Sequence, residues 1–447
     1  MHASRSTFLC LAFVACGRIG SLDDEIGDEI GDEIGNSETS SESESGSEGA
    51  DFVVERLEGS YGMVCGFDQG GAQVCWGQTA EGLVGDDEPA WAGRVLAPTP
   101  HFTEFARLGV VCALDQGAVH CWGDSSGSPG LLGYGLGDES LTIDDALARG
   151  GVPIGEPIVA LEAGAAEDTP YLRFCALSES GQVYCWGDST LGPIGDDETP
   201  LEVGPLPIGV VAVELAVGGG GACVITSGAE LVCWHEDMSG QLVVEPAELG
   251  GPLGDVSLGP EHGCVIVEGE VACWGLGTRG ELGVPGEHLL ALGPELATIE
   301  LPGPAVEIEV GPDHTCAQLD EGEVYCWGSG EFGALGHPRA SACEQDVGEG
   351  NVVFDCAADP SCCIGDDEPP ASVGPVDFGG PVVDLTGEGC VLLASGEVRC
   401  TGPNFLGFGL IGDASALDCG FACGFDPSCC IGDDEPPSAH APVPLHE

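Results

Sequence analysis

The chain contains no lysine. Its ten cations are all arginine, set against 76 acidic residues, for a formal charge of -66 over 447 residues. A phosphate-binding loop of the lysine type and Schiff-base chemistry are thereby excluded. Such an excess of carboxylate repels nucleic acid and anionic membranes, which both attract clustered Lys and Arg. The partners it suits are cations and basic protein patches, and its plainer role is solubility. A recognisable array of zinc ligands is also missing, so the 24 cysteines point to an oxidising compartment. With 43% hydrophobic residues the chain can bury a large core. Its length suits two or three domains, or one repetitive all-β domain.

Seven copies of one short phrase fill most of the sequence, and the clearest, HTCAQLDEGEVYCWG, runs from His314 to Gly328. Each copy is two apolar runs about a Gly-containing turn, with two cysteines placed to face each other. The pairs are Cys65 and Cys75, Cys112 and Cys121, Cys175 and Cys185, Cys223 and Cys233, Cys264 and Cys273, Cys316 and Cys326, and Cys390 and Cys400. Pairing Cys112 with Cys121 across a hairpin sets Ala113 opposite His120, Leu114 opposite Val119, and Gln116-Gly117 in a two-residue turn. Cys264 and Cys273 do likewise about Glu268-Gly269. Opposed residues at a non-hydrogen-bonded site lie about 4.5 Å apart, within disulfide range. Seven cross-strand disulfides are expected, the alternative being reduced cysteine at small buried strand positions.

Residues 1–15 have the form of a secretory signal, with Arg5 ahead of an apolar run too short to span a bilayer. The stretch Leu11 to Gly17 resembles a bacterial lipobox, which makes Cys16 the lipid-carrying first residue of the mature protein. Residues 16–51, with three DEIG units and then NSETSSESESGSEG, read as a disordered, self-repelling tether. From 52 to 447 the chain is repetitive. An alternating strand precedes each hairpin, as in Ala305 to Val310, where Val306, Ile308 and Val310 alternate with Glu307 and Glu309. A Gly-rich turn and, in most copies, a proline-containing edge segment follow, so each unit holds about four short strands.

The run Gly311 to Ala317, then Val324 to Gly328, then Gly333-Ala334-Leu335-Gly336 resembles the repeat of the regulator of chromosome condensation family. A six-residue step from tryptophan to loop glycine recurs at Trp76 and Gly82, Trp186 and Gly192, Trp234 and Gly240, Trp274 and Gly280, and Trp327 and Gly333. The resemblance covers roughly 52 to 445 and implies an all-β, seven-bladed β-propeller with four-stranded blades, its tryptophans in the core between blades. Seven units that cannot bury their faces alone agree with a closed ring. Family members range from a chromatin-bound nucleotide exchange factor to secreted binding proteins. The signal sequence and the cysteines argue against the nuclear role.

Two motifs mimic catalytic or cofactor loops. Gly275 to Gly280 fits GxGxxG and Gly123 to Gly127 fits GxSxG, yet both follow hairpins and lead into no helix, so both are read as propeller turns. His262 and His314 stand where a structural hydrogen bond is the ordinary role. Two insertions carry further cysteines, Cys343, Cys356, Cys362 and Cys363 in one and Cys419, Cys423, Cys429 and Cys430 in the other. Each set suits two disulfides, of open connectivity, over one zinc site. The phrase GDDE recurs four times, and Asp86, Asp87, Asp196, Asp197, Asp366, Asp367, Asp433 and Asp434 are weak calcium candidates. The first aspartate of each is expected to bond nearby backbone in its turn.

These observations make the protein an exported, monomeric, lipid-anchored scaffold that binds a protein partner through loops at 124–157 and 337–370. It is expected at the outer membrane or cell surface, or else in the periplasm or secreted, with no cofactor and no catalytic residue. A calcium-dependent adhesion or carbohydrate-binding propeller is the alternative, and an enzyme with its site at the central channel is the third.

Overall fold

Gln116 and Gly117 adopt φ of 48° and 85°, and Glu268 and Gly269 adopt 56° and 84°. Two successive left-handed residues make the turn whose twist matches that of the strands it joins, and the flanking register follows, with Cys112 opposite Cys121 and Cys264 opposite Cys273. The computed structural model describes residues 53–443 apart from 61–62, 70–72, 78–93, 97–103, 106–109, 126–129, 136, 138–139, 166–171, 188–197, 237–240, 287–288, 294–295, 339–342, 349–350, 355, 357–361, 404–429 and 432–435. The signal sequence, Cys16 and the tether lie outside the described residues. So do Asp86, Asp87, Asp196, Asp197, Asp433 and Asp434, together with Cys419, Cys423 and Cys429.

The fold is all-β, and every ladder is antiparallel. Seven sheets each contain one cysteine hairpin. Six hairpin disulfides are formed, 112–121, 175–185, 223–233, 264–273, 316–326 and 390–400, with Cα separations of 3.9 to 4.1 Å. Cys65 is also disulfide-bonded and stands opposite Cys75.

Each hairpin is preceded by an inner strand: Arg56–Ser60, Glu104–Phe105, Ile158–Ala165, Ala212–Val217, Leu253–Leu258, Ala305–Val310 and Val382–Leu385. Every inner strand touches those of the sheets before and after it, and that of the seventh touches that of the first. The apolar core lies between successive sheets. Trp122 and Trp186 share one cluster with Val111 and Leu172, and a further cluster joins Leu57 and Val64 of the first sheet to Leu392 and Val398 of the seventh. Trp122, Trp186, Trp234 and Trp327 are fully buried, and the Trp327 indole N–H donates to the Glu281 carbonyl at 2.9 Å. Trp274 is half-buried.

The outer edge departs from four strands per unit. Among the described residues the first, second, fourth and sixth sheets have four, the third and seventh have three, and the fifth has five. In the third sheet the outer segment makes one ladder bond, from Leu206 N–H to the Val183 carbonyl at 2.8 Å, and in the seventh the equivalent bond runs from Val443 to Val398 at 2.9 Å. Pro205 and Pro207 flank Leu206, and Pro442 and Pro444 flank Val443. Proline has no N–H to continue a ladder at these points, and in the seventh unit outer pairing is found again where Gly402–Pro403 meets Cys430–Ile431. Among the described residues no helix is long and apolar enough to cross a membrane.

Candidate functional site

On the inner strands of the fourth to seventh sheets the register slips between Ala212 and Glu214, Leu253 and Val256, Ala305 and Glu307, and Val382 and Asp384. An extra residue in one strand re-aims the side chains beside it. Val213, Val306 and Val383 are left exposed, so the alternation expected from Val306 begins only at Ile308. Glu214, Asp255, Glu307 and Asp384 face cavities between the inner strands. A second tier stands opposite the first cysteine of each hairpin, where Glu58, Glu104, Glu162 and Glu309 hold the first, second, third and sixth sheets. Ala216 and Ser257 take that position in the fourth and fifth. Each of the seven inner strands thus carries at least one acid at one of two levels.

Two cavities, of about 240 and 280 Å³, lie within the ring of inner strands and share Gly59, Glu162 and Glu309 in their walls. Three of the acids there tie one sheet to the next. Glu214 accepts the Val256 N–H at 2.9 Å, Asp255 accepts that of Ile308 at 2.8 Å, and Asp384 accepts that of Leu57 at 2.6 Å, joining the last sheet to the first. The Ser257 hydroxyl takes the Val310 N–H in the same way, at 3.1 Å. Glu307 and Asp384 share a hydrogen bond, as do Glu214 and Asp255. Arg56 puts the one guanidinium into this lining, bonded to Glu58 and lying 4.0 Å over the Phe67 ring. Among the described residues Glu162 and Glu309 accept no hydrogen bond at all.

Crowding of acids in an enclosed space has the electrostatic consequence expected of it. Burial pushes the Glu58 carboxyl up to about 7 against the opposing pull of Arg56. Burial, reinforced by the charges of Glu58, Asp255 and Glu214, takes Glu162 to about 8. Glu214 rises to about 7 through burial and Asp255, and Glu307 to about 9 through burial and Asp384. Glu309 is driven well above the ordinary carboxylate range by burial and four acidic neighbours. The axis therefore holds protons near neutrality and presents acceptor oxygens to any cation that replaces them. Sequence reading passed over these acids, although an Asp or Glu in every pre-hairpin strand was the available signal.

Of the GDDE phrases, the described copy brings carboxylate oxygens of Asp366, Asp367 and Glu368 within 4.8 Å of one another. Asp366 accepts the Asp367 N–H at 2.9 Å, a bond to nearby backbone in its turn. Both Glu368 oxygens are buried, and burial, with a hydrogen bond to and the charge of neighbouring Asp367, takes this carboxyl to about 8. The insertion ahead of it folds into a two-stranded hairpin, Glu344–Gly348 with Asn351–Phe354, closed by disulfides 343–362 and 356–363. The other insertion carries a short helix, Ile143–Arg149, with Thr142 and Asp145 forming a reciprocal cap.

Of the catalytic-looking motifs, Gly275 to Gly280 lies wholly within the described residues, and no helix follows it there. Gly275 to Gly280 leads into a turn, and Arg279 there reaches Glu331 at 3.0 Å. Ser125 is buried directly after the strand Ala118–Asp124. The His262 ring N–H donates to the Thr315 hydroxyl of the next sheet at 2.9 Å, since that hydroxyl itself donates to the Glu281 carbonyl. Burial lowers His262 to about 3 and His314 to about 4, so both rings are neutral.

The model of the regulator of chromosome condensation (RCC1) repeat matches residues 171–192 and 305–334. The ultraviolet-B receptor UVR8 of Arabidopsis thaliana is 27% identical over 278 residues, which are 58% of this chain and 58% of the receptor. The human E3 ubiquitin-protein ligase HERC2 is 28% identical over 212 residues, 41% of this chain and 4% of the ligase. The chain thus spans well under two thirds of these relatives. Among solved structures, yeast RCC1 (Prp20) bound to Kap60 superimposes with a TM-score of 0.51 at 18% identity, over 88% of this chain and 85% of that one. That likeness is one of fold.

Proposed function

We propose, for this member of the regulator of chromosome condensation repeat family, an exported protein-binding scaffold. In this reading the chain is a seven-bladed β-propeller, lipid-anchored through Cys16 and held off the surface by the acidic tether. The observation that carries it is the insertion at 337–370, which forms its own hairpin and is closed by two disulfides. A loop whose shape is set before a partner arrives loses little entropy on binding, and a rigid ring is a suitable mount for it. The cyclic contacts of the inner strands support the seven-bladed ring, the hairpin disulfides support export, and the yeast propeller bound to Kap60 is a precedent for protein recognition.

The test is photo-crosslinking on intact cells from a probe at Val352. A discrete protein adduct is expected, and it should vanish when residues 344–354 are replaced by a short Gly-Ser link while the melting temperature holds. An adduct that survives the replacement, or none at all, sinks the reading. A Cys16→Ser chain should appear in the medium instead of the membrane fraction. A calcium-dependent adhesion or carbohydrate-binding role is the second reading, favoured by the convergence of Asp366, Asp367 and Glu368. Calorimetry with calcium that gives no heat and no melting shift removes it.

A further inference from the structure

The geometry points to an organic cation, a guanidinium or alkylammonium group, as the ligand of the carboxylate-lined axis. This does not depend on the insertion loops, so the two readings fail separately. Three of the axial acids have structural employment: Glu214, Asp255 and Asp384 accept backbone N–H groups from the following sheet. Glu162 and Glu309 have none. Both side chains are half-buried and wall the two cavities, and neither accepts a hydrogen bond from a described residue. Carboxylate oxygens that open into a cavity and take no donor from the protein are free to accept from a ligand there.

What fills it is constrained by spacing. A small dehydrated metal ion needs several oxygens converging on one point. Among the described residues only Asp366, Asp367 and Glu368 bring three ligand atoms within 4.8 Å, and no trio of axial acids does so. Oxygens spread along a channel instead suit a cation whose donors are themselves spread out, as in a guanidinium fork or a polyamine. The chain supplies its own example, since Arg56 already lies in this lining against Glu58 and over Phe67. The remaining wall faces the cavities with carboxylates from five further inner strands and no second cation.

Entry of a cation displaces the protons that enclosure keeps on the axis. The charged groups facing it are Arg56 and Glu58 of the first sheet, Glu162 of the third, Glu214 of the fourth and Asp255 of the fifth, with Glu307 and Glu309 of the sixth, Asp384 of the seventh and Glu388 in the turn that follows it. With Glu58 and Glu214 near 7, Glu162 near 8 and Glu307 near 9, binding strengthens as pH rises.

The experiment is calorimetry on the full chain with spermidine, with an Arg-Gly repeat hexapeptide and with calcium chloride, in about 0.15 M salt so that loose surface condensation is screened. One-to-one binding of spermidine, of the peptide or of both is expected, about tenfold tighter at pH 9 than at pH 6, with proton release seen as a dependence of the heat on buffer. Spermidine alone would mark a free polyamine as the ligand, and peptide alone a basic side chain of a partner. The Glu162→Gln, Glu309→Gln double variant should lose at least tenfold in affinity, whereas Glu248→Gln, on an exposed glutamate, should lose none. Carbodiimide labelling of the unmutated protein gives a readout that no folding defect can confuse: the organic cation should protect Glu162 and Glu309. No binding, binding of calcium alone at these residues, or binding without such protection would overturn the assignment.

Discussion

The two kinds of strand in each sheet meet opposite problems. Hairpin strands are short, apolar and covalently tied: Cys316 and Cys326 face each other between Ala317, Tyr325 and Trp327, all buried. The inner strand beside them carries Glu307 and Glu309 into an enclosed space with no lysine anywhere in the chain to neutralise them. One strand type supplies stability, and the other spends some of it on a charged surface that folding alone does not require. Stability and reactivity to ligand are thus separated by one ladder width, about 4.8 Å.

Removing a staple should give the largest effect. A disulfide spanning ten residues restricts the unfolded chain by about 2.5 kcal/mol in the loop-entropy model, so Cys316→Ala with Cys326→Ala should lose about that much in urea unfolding. If the loss is near zero, the hairpins do not carry the stability and the contrast between the strands fails. The next largest concerns the acid that joins the last sheet to the first. Asp384→Ala strips the Leu57 N–H of its acceptor, at a cost of about 1–3 kcal/mol. Asp384→Asn keeps an acceptor oxygen and should recover most of it. Equal losses in the two variants would mean that the bond does not close the ring.

The hairpins were legible from sequence and the axis was not, for different physical reasons. Cys112 and Cys121 lie on either side of Gln116-Gly117, and a two-residue turn admits one register, so the opposition of Ala113 to His120 follows without tertiary information. The strand count was less secure, because among the described residues Leu206, between two prolines, makes a single bond to the ladder of the third sheet. At the inner strands the alternation of Glu307 and Glu309 with Ile308 reads as a solvent face. It becomes an axial face only because seven such strands meet in a cycle, and because a slip at Ala305 turns Val306 outward. Neither is a local property. The unpaired state of Glu309 rests on the strands that surround it, which lie far away in the chain.

The smallest effect is a slope. A carboxyl whose native pKa is raised binds more protons folded than unfolded between the two values, so its contribution to stability is complete below the unfolded value near 4.5 and is lost as pH rises through the folded one. With Glu58 near 7, Glu162 near 8 and Glu307 near 9, the melting temperature should fall between pH 6 and pH 9 in the absence of any ligand. Repulsion among the many surface acids acts in the same direction, so the slope alone does not identify the axis. Glu309→Gln does, since the amide cannot ionise: the variant should melt with the parent at pH 6 and a few degrees above it at pH 9. The exposed Glu248→Gln removes the same charge from the surface and should follow the parent at both. If the two variants behave alike, the inner strands are no more strained by their acids than the outer surface is, and the division of labour between the strands reduces to the disulfides.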